Sequence, residues 1–566
     1  MEDVTRIAMD VLRTVAPYVE EARLKVNASC EQLEGWQIIA YTFGFTLILV
    51  SIYSYLFDHE KSLKQRATKS FFKFVKSLPI IRTKIAAEVQ KNAKQIESGF
   101  QKGLGSLKYV HKLPSKGLTE DEVMKELDRY HSLVKVDWTK GNVSGAIYNG
   151  EEKLTNMLVK AYGKFTWTNP LHPDLFPDIR KMEAEVVRMC CSMFNGDENT
   201  CGTVTSGGTE SILLACLAYR NRARENGIRK PEMIVPVTAH AAFDKGADFF
   251  GIKIIHIPMD PVTCKVNVKK MKSAITKNTC MLVGSAPQFP HGSIDDLESI
   301  AALGRRYNIP VHTDCCLGGF LVPFMEKAGF KVPKVDFRVP GITSISADTH
   351  KYGFAPKGSS VILYSDNEYR QYQFFVQPDW PGGIYASPTL AGSRAGAIVA
   401  ACWAAMMYHG EQGYIESTKK IITTTRYIAT ELNKINGIHV IGEPEVSVVA
   451  LASNEFNIFR LSDALTEKGF SLSPLQFPSS IHMCVTLVHT RPGGADYFIN
   501  ETKAAVAEIM KDPKAKCGGM GAIYGLSQSI PDRSMVSQIV GLFLEACYTT
   551  KDPEDSNTNG KINGKH

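Results

Sequence analysis

The chain has 566 residues, of which 44% are hydrophobic and 22% are charged. A single core stops growing near roughly 250 to 300 residues, so this length requires more than one folding unit. The ordinary composition excludes a disordered chain, a collagen-like chain and a many-pass membrane protein. A formal charge of +7 is small for this length, so we expect no nucleic-acid partner.

The 13 cysteines are scattered along the chain and form no CxxC pair. This spacing excludes a zinc ribbon and a thioredoxin-like redox motif. Dispersed cysteines are typical of a reducing compartment, so we expect most of the chain to face the cytosol.

Near the N-terminus, residues 36–57 form an uncharged apolar run with the sequence WQIIAYTFGFTLILVSIYSYLF. As a helix this run is about 33 Å long, enough to cross the hydrocarbon core of a membrane. A signal peptide is disfavoured because the run is long and begins well inside the chain. A buried core helix is disfavoured because such helices rarely lack a polar face over this length. The run therefore predicts one transmembrane helix.

The charges on either side of this run predict its orientation. Residues 1–35 carry 4 basic and 7 acidic side chains, whereas residues 58–84 carry 8 basic and 2 acidic ones. Positive flanks stay on the cytoplasmic side. We therefore expect residues 1–35 to be a short luminal segment, in which Asn27 is a potential glycosylation site, and the remainder to be cytosolic.

Residues 58–116 are expected to form a basic juxtamembrane linker. Within it, Phe71, Phe72, Phe74 and Val75 alternate with lysines, a pattern typical of contact with anionic membrane lipid. A solvated spacer is an equally open interpretation of the same residues.

The cytosolic part is predicted to contain a helical segment over 117–194, a large domain over 195–412 and a smaller α+β domain over 413–550. In the large domain, β-branched runs alternate with helical patterns, which predicts an α/β fold with a mostly parallel sheet. The predicted strands are 233–237, 253–259, 280–287, 309–314, 344–350 and 359–364. Residues 551–566 are polar and lack aromatic side chains, so we expect a disordered tail.

Motifs exclude several classes of enzyme. The chain has no GxxxxGK[ST] loop, no GxGxxG after a strand and no GxSxG, so ATP hydrolysis, hydride transfer and α/β-hydrolase chemistry lose their main support. Instead, the sequence TSGGTES at 205–211 runs directly into an apolar helix. A glycine-rich helix start is suited to bind an anion, although most such starts are only helix caps.

Two further elements accompany this helix start. Asp314 ends a predicted strand and His350-Lys351 ends another, so both groups are expected at the ligand-binding edge of a parallel sheet. A phosphate-binding helix start, an acid and a lysine converge on pyridoxal 5′-phosphate, whose ring nitrogen needs an acid and whose aldehyde needs a Schiff-base lysine. His312, two residues before Asp314, suggests a metal ligand, but without further clustered ligands it is interpreted as a core histidine.

With these motifs the chain resembles the fold-type-I pyridoxal phosphate enzymes, in their decarboxylase-like branch, and within it the sphingosine-1-phosphate lyases. The resemblance implies that Gly208 and Thr209 bind the cofactor phosphate and that His240 of TAHAAFDK stacks on the pyridine ring. It implies that Asp314 of HTDCCLGG binds the ring nitrogen and that Lys351 of DTHKYGFAPKG, next to the cofactor-binding His350, is the Schiff-base lysine. In AGSRAG, Gly392 and Ser393 are expected to reach the cofactor of a partner subunit, which implies a homodimer.

The resemblance also implies a substrate-phosphate site formed by Lys357, Tyr148 and His172, with Tyr148 as a further catalytic residue. Amino-acid decarboxylases of this branch commonly carry Ala-Ala-Trp after the aspartate and a tryptophan after the lysine. Here Cys315, Cys316, Leu317 and Tyr352 occupy those positions. A membrane anchor suits a lipid substrate better than a soluble amino acid.

The implied reaction is retro-aldol cleavage of a phosphorylated sphingoid base, and the implied location is the endoplasmic reticulum membrane. Two alternatives remain open at this point. One is an amino-acid decarboxylase that uses the same cofactor, and the other is a membrane-tethered scaffold with an inactive cofactor site.

Overall fold

The structure of the protein is a computed structural model that describes residues 2–57, 70, 74, 78–104, 107–517 and 534–550. It separates into two compact units, residues 1–85 and residues 86–566. Residues 58–69, 71–73, 75–77 and 105–106 of the predicted basic juxtamembrane linker, and the predicted disordered tail at 551–566, lie outside the described residues.

The α-helices range from one turn to a long helix of 37 residues. They are Glu2–Cys30, Gly35–Phe57, Pro79–Leu104, Glu120–His131, Glu152–Lys164, Pro177–Met193, Gly208–Glu225, Ala242–Phe250, Val268–Ala274, Leu297–Tyr307, Val322–Met325, Asn367–Arg370, Gly396–Leu432, Phe459–Glu467, Gly494–Ile509 and Ser534–Ala546. Short 3-10 helices occur at Trp138–Lys140, Gln371–Gln373 and Leu487–Thr490.

The described strands form three sheets. They are β1 (Cys201–Thr205), β2 (Glu232–Pro236), β3 (Lys253–Ile257), β4 (Thr279–Ser285), β5 (Val311–Asp314), β6 (Ile342–Ala347), β7 (Ser360–Tyr364), β8 (Phe375–Gln377), β9 (Tyr385–Ser387), β10 (His439–Val440), β11 (Val448–Ala452), β12 (Ser473–Leu475) and β13 (Ser480–Cys484). Strands β8 and β9 pair as a small hairpin.

The largest sheet has seven strands in the order β1-β7-β6-β5-β4-β2-β3. Strands β2 to β6 are parallel to one another, whereas β7 is antiparallel to both β6 and β1. The predicted mostly parallel α/β sheet is therefore confirmed, and each of the six predicted strands is present with ends shifted by a few residues. Strand β1 was not predicted from the sequence.

Side chains of the central strands point alternately to the two faces of this sheet, and both faces are apolar. On β2, Ile234 packs into one core cluster, whereas Met233 and Val235 pack into another that includes Ile212 and Leu214 of the helix Gly208–Glu225. Successive side chains of a strand point to opposite faces, so a sheet buried on both faces needs apolar residues at consecutive positions. The continuous run MIVPV satisfies this requirement.

The second sheet is antiparallel, with the order β10-β11-β13-β12. Its residues Val448, Val449 and Ile481 belong to the same core cluster as Ile234 of the large sheet. The smaller sheet therefore packs onto the large one through a shared apolar core.

The predicted boundary between the large and small domains, at residues 412 and 413, lies inside the helix Gly396–Leu432. Two residues earlier, Gly410 has φ 56° and ψ −177°, which is not helical and interrupts the helix. A positive φ favours glycine, because other residues meet a steric clash there. The domain boundaries themselves remain predictions.

The helix Gly35–Phe57 coincides with the predicted transmembrane run. Its segment Gly35–Ile52 has a mean hydropathy of 1.6, and none of that segment is buried against the protein. By length and composition this helix can cross a membrane, and an apolar surface this exposed is consistent with lipid contact.

A chain that begins at residue 58 should fold and remain soluble without detergent. Both large sheets and their cores lie in the unit 86–566, and the deletion removes the exposed apolar helix. Size-exclusion chromatography and circular dichroism would test this, with the full-length chain as the control that requires detergent. Aggregation of the shortened chain would mean that the helix also stabilises the fold.

Candidate active site

The carboxyl ends of β2, β4, β5 and β6 meet at one edge of the large sheet, because these strands are parallel. Asp314, the last residue of β5, lies there with only 6% of its surface exposed. Its neighbours across the sheet are Ser285 on β4 and Ser346 on β6. The Ser346 hydroxyl and the backbone N–H of Cys316 donate to Asp314 Oδ1 at 3.4 and 3.1 Å. The carboxylate is therefore held at the edge where we expected it.

Lys351 lies in the turn after β6 and not at the end of the strand, so the prediction of a strand over 344–350 is wrong at its C-terminus. The strand ends at Ala347 because the chain must reverse to enter the antiparallel β7, and the Lys351 N–H closes that turn on the Asp348 carbonyl. Lys351 Nζ lies 2.9 Å from Asp348 Oδ2. Burial by itself lowers the pKa of Lys351, but the charge and hydrogen bond of Asp348, together with the nearby Tyr148 and Cys316, outweigh burial and leave the pKa above its usual value.

The helix Gly208–Glu225 begins directly against Asp348. A Cβ atom on Gly208 would lie 2.7 Å from Asp348 Oδ1 and 2.8 Å from Cys316 Sγ, so only glycine fits there. Among the described residues, Asp348 Oδ1 is buried and has no hydrogen-bond partner. No side chain caps this helix, so the N–H groups of Gly208 and Thr209 are available to an anion. This cradle fits the phosphate of pyridoxal phosphate, and the Asp314 carboxylate, bonded to the neighbouring Cys316 N–H, fits its cationic ring.

Glu210 fixes the loop that precedes this helix. The backbone N–H and the hydroxyl of Ser206 both donate to Glu210 Oε2 at 2.7 Å. The other oxygen, Oε1, accepts the backbone N–H of Leu390 at 3.0 Å. The carboxylate therefore connects the predicted phosphate loop to the segment that leads to Gly392 and Ser393.

Two histidines lie at the same edge. His240 follows β2 by four residues and is exposed, and its Nδ1 accepts the Ala242 N–H at 3.1 Å, which fixes the ring. His350 is partly buried, with Nδ1 2.5 Å from the Ser359 carbonyl oxygen. Burial lowers the pKa of His350, so the ring is neutral near pH 7 and its Nε2 is an acceptor.

Tyr148, Lys351 and Lys357 form one group. Lys357 Nζ lies 4.7 Å from the centre of the Tyr148 ring, which also packs edge-on against Tyr352 at 4.9 Å. Burial raises the pKa of Tyr148, and the charge of Lys351 opposes this increase only in part. Burial and the charge of Lys351 both lower the pKa of Lys357. The structure thus brings two of the three predicted substrate-phosphate residues beside the predicted cofactor lysine.

The described contacts do not connect the third predicted phosphate residue, His172, to this group. It is exposed on a turn whose Asn169 donates to the Ser393 hydroxyl at 3.1 Å and accepts the Arg394 N–H at 3.2 Å. Among the described residues, no hydrogen bond or ion pair connects His172, Gly392 or Ser393 to Lys351. The two loops that carry them are instead bonded to each other through Asn169.

The sequence interpretation missed Asp348, Glu210 and Ser346. Asp348 had a usable signal, since it precedes Lys351 by three residues in SADTHK. Ser346 had none, because a serine inside a strand is usually structural. His312 is fully buried with both ring nitrogens bonded to serine hydroxyls, as expected for a core histidine. Within the described part of the chain, no group of three His, Cys, Asp or Glu side chains is arranged to hold a metal ion.

Comparison with known proteins agrees with this geometry. Residues 110–453 match the family described as the pyridoxal-dependent decarboxylase conserved domain. The chain is 52% identical to sphingosine-1-phosphate lyase 1 of Mus musculus, over 96% of this chain and 95% of that protein. It is 44% identical to the sphingosine-1-phosphate lyase of Saccharomyces cerevisiae, over 87% of this chain and 85% of that protein.

Solved structures give the same result. A sphingosine-1-phosphate lyase of Burkholderia pseudomallei superposes with a TM-score of 0.71 at 37% identity, covering 77% of this chain and 98% of that one. A glutamate decarboxylase of Lactobacillus brevis has the same fold, with a TM-score of 0.63 at 22% identity over 73% of this chain and 97% of that one. The resemblance drawn from the motifs is confirmed. The chain belongs to the pyridoxal-dependent decarboxylase family and, within it, to the sphingosine-1-phosphate lyases.

Proposed function

We infer that this chain is a pyridoxal phosphate-dependent aldehyde-lyase. It cleaves phosphorylated sphingoid bases into a long-chain aldehyde and phosphoethanolamine. The observation that carries this function is the grouping of Lys357 and Tyr148 with Lys351, since it sets a second cation and a phenol beside the lysine that holds the cofactor. The identity to sphingosine-1-phosphate lyases over nearly the whole chain supports the same substrate class.

Bound through Lys351, the cofactor supplies an electron sink for the pair that is released when a bond at the amine-bearing carbon breaks. The N–H groups of Gly208 and Thr209 would hold its phosphate. The Asp314 carboxylate would hold a proton on its ring nitrogen, and His240 would stack on the ring. The Asp348 carboxylate orients Lys351 before the cofactor is attached.

Tyr148 and Lys357 recognise the substrate phosphate in this proposal. Because burial raises the pKa of Tyr148, the phenol stays protonated near pH 7 and donates a hydrogen bond rather than acting as a base. The Lys357 ammonium lies over the same ring and supplies the positive charge. Charge-assisted bonds of this kind are short and about twice as strong as neutral ones. A sphingoid base without its phosphate cannot form them.

The reaction class is tested with purified protein and two kinds of substrate. A phosphorylated sphingoid base should yield aldehyde and phosphoethanolamine in equal amounts, measured by mass spectrometry. Free amino acids should release no carbon dioxide. Decarboxylation without cleavage of the lipid would favour the amino-acid decarboxylase alternative, and absence of both reactions in cofactor-loaded protein would favour the scaffold.

A homodimer completes the site in this proposal. Ser393 and His172 lie on exposed loops that bind each other through Asn169 and are not bonded to Lys351 of the same protomer. A second copy can receive these side chains at its own Lys351. The joined loops support this arrangement, because they present a cofactor-phosphate residue and a substrate-phosphate residue together.

The membrane location is a further part of the proposal. The helix Gly35–Phe57 anchors the protein, and membrane lipid surrounds that helix. Flanking charge supports a luminal segment over residues 1–35 and a cytosolic catalytic part. The endoplasmic reticulum is the proposed compartment, as the resemblance to the sphingosine-1-phosphate lyases implies.

Lys351→Ala should abolish turnover, because without the ε-amine the cofactor cannot be attached covalently. Aldehyde release measures turnover, and mass spectrometry after borohydride reduction measures covalently fixed cofactor. The exposed Lys334, changed to Met, is the matched control and should retain both. Turnover with fixed cofactor in Lys351→Ala would exclude this lysine.

Lys357→Met should raise the substrate KM about tenfold or more, as expected for the loss of roughly 1.5 to 3 kcal/mol of charge-assisted bonding. Steady-state kinetics and cofactor absorbance should show this change without loss of cofactor. Tyr148→Phe should lower kcat if its hydroxyl also donates a proton at the reacting carbons. Unchanged KM in Lys357→Met, with Lys334→Met as the control, would exclude the phosphate site.

Chains carrying Lys351→Ala and chains carrying Ser393→Tyr should each be inactive but complement each other after mixing. In a mixed dimer, one site combines an intact Lys351 with the partner's intact Ser393. Random mixing should therefore restore about a quarter of wild-type activity, since half the dimers are mixed and one of their two sites is intact. A mixture of Lys351→Ala and Lys351→Met chains is the control. Absence of recovery with proven subunit exchange would place Ser393 outside a shared site.

A further inference from the structure

A line of buried polar side chains runs through the large sheet and ends at Asp314. The register of β5 and β6 pairs His312 with Ser344 and Asp314 with Ser346. Residues two apart on a strand share a face, so all four side chains lie on the same side of the sheet. The helix Gly208–Glu225 covers this side and contributes Tyr219.

The hydrogen bonds along this line connect in sequence. The Tyr219 hydroxyl donates to Ser344 Oγ at 2.7 Å, and Ser344 Oγ lies 2.8 Å from His312 Nδ1. His312 Nε2 lies 3.1 Å from Ser346 Oγ, and the Ser346 hydroxyl donates to Asp314 Oδ1 at 3.4 Å. All of these residues other than Asp314 are at most 1% exposed, so water does not compete for the bonds.

In one arrangement of protons, each hydrogen bond along this line has one donor and one acceptor. Ser344 accepts from Tyr219 and can therefore donate its own proton to His312 Nδ1. The proton of His312 then lies on Nε2 and is donated to Ser346, whose hydroxyl donates onward to the carboxylate. The Cys316 thiol donates to the second lone pair of Ser346 Oγ at 3.2 Å. Burial lowers the pKa of His312 to about 4, so the neutral ring that this arrangement needs is present near pH 7.

The line of bonds reaches only one oxygen of Asp314. Both of the bonds described for this carboxylate, from Ser346 and from the Cys316 N–H, end on Oδ1. Oδ2 is therefore the oxygen left to face the cofactor. Two donors on one oxygen fix the rotation of the carboxylate.

We propose that His312 is a positioning residue that acts through Ser346 to orient the Asp314 carboxylate toward the ring nitrogen of the cofactor. This inference rests on the proposed function, since it needs a cofactor ring at Asp314. In this proposal, His312 of the HxD pair, which suggested a metal ligand in the sequence, instead supports the Asp314 carboxylate. Phe243, whose ring centre lies 5.8 Å from that of His312, holds the imidazole edge-on in place.

The test compares Ser346→Ala, His312→Phe and the double variant, with His312→Gln as the conservative replacement that keeps an N–H donor. Three properties are measured on holoenzyme: the rate of cofactor loss after dilution, the pH midpoint of the bound cofactor's absorbance, and kcat with KM. Thr425→Val is the control, because it removes a buried hydroxyl whose hydrogen bond among the described residues is to the Ile421 carbonyl, one turn earlier in the helix Gly396–Leu432.

Each of Ser346→Ala and His312→Phe should lose cofactor about tenfold faster and lower kcat by about tenfold with little change in KM, as expected for losing one hydrogen bond to a charged group. The pH midpoint should move in both variants and stay unchanged in Thr425→Val. The double variant should be no more affected than either single variant, because both changes break the same connection. His312→Gln should recover part of the loss.

Wild-type cofactor retention and pH midpoint in Ser346→Ala would overturn the proposal, as would multiplied effects in the double variant. If His312→Phe does not fold, Ser346→Ala and His312→Gln decide the question. Wild-type protein that binds no cofactor would instead overturn the proposed function, and with it this inference. If the wild-type protein binds cofactor and cleaves lipid, and the variants behave like the wild type, the positioning role alone would be overturned.

Discussion

The ion pair between Lys351 and Asp348 is the contact on which the other parts of the site depend. Asp348 receives the lysine on one oxygen and the start of the helix Gly208–Glu225 on its other side. A larger residue at Gly208 would push the helix away from the carboxylate. The turn after β6, the helix start and the cofactor lysine are therefore fixed relative to one another by a single buried side chain.

Charge also sets the protonation states around this pair. Lys351 lowers the pKa of Lys357 and opposes the increase in the pKa of Tyr148, while Asp348 keeps Lys351 itself an ammonium. The protonation states of Lys357 and Tyr148 are therefore coupled to the charge carried at Lys351.

Much of the fold and part of the site could be predicted from the sequence. The central strands were found because a sheet buried on both faces needs continuous apolar runs such as MIVPV, and Asp314 because it ends one of them. Strand β1 was missed, since CGTVT is short, pairs antiparallel with β7 and carries no such run. Lys351 was placed on a strand because the sequence does not reveal where β6 must turn. Glu210 was missed because its partner, the Leu390 N–H, is remote in the sequence and is recognised only after the chain has folded. Asp348 was missed although it precedes Lys351 by only three residues. The roles of His172 and Ser393 came from the family resemblance alone, and both side chains are exposed on loops that, within the described part of the chain, are not bonded to Lys351.

The helix that is interrupted at Gly410 contacts both the large and the smaller domain. Before the break, Trp403 donates to Glu185 of the helix Pro177–Met193, and after it Tyr427 donates to Asp496 of the helix Gly494–Ile509 in the smaller domain. A Cβ atom at Gly410 would meet no neighbour, so the glycine serves the backbone and not the packing. The smaller domain is thus connected to the loop at Gly392 and Ser393 by one helix with a single break at Gly410. The half after the break is also held to the large domain, because the Tyr414 hydroxyl donates to the Gly353 carbonyl, two residues after Lys351. The glycine therefore redirects the helix and at the same time connects it to the turn that carries the cofactor lysine.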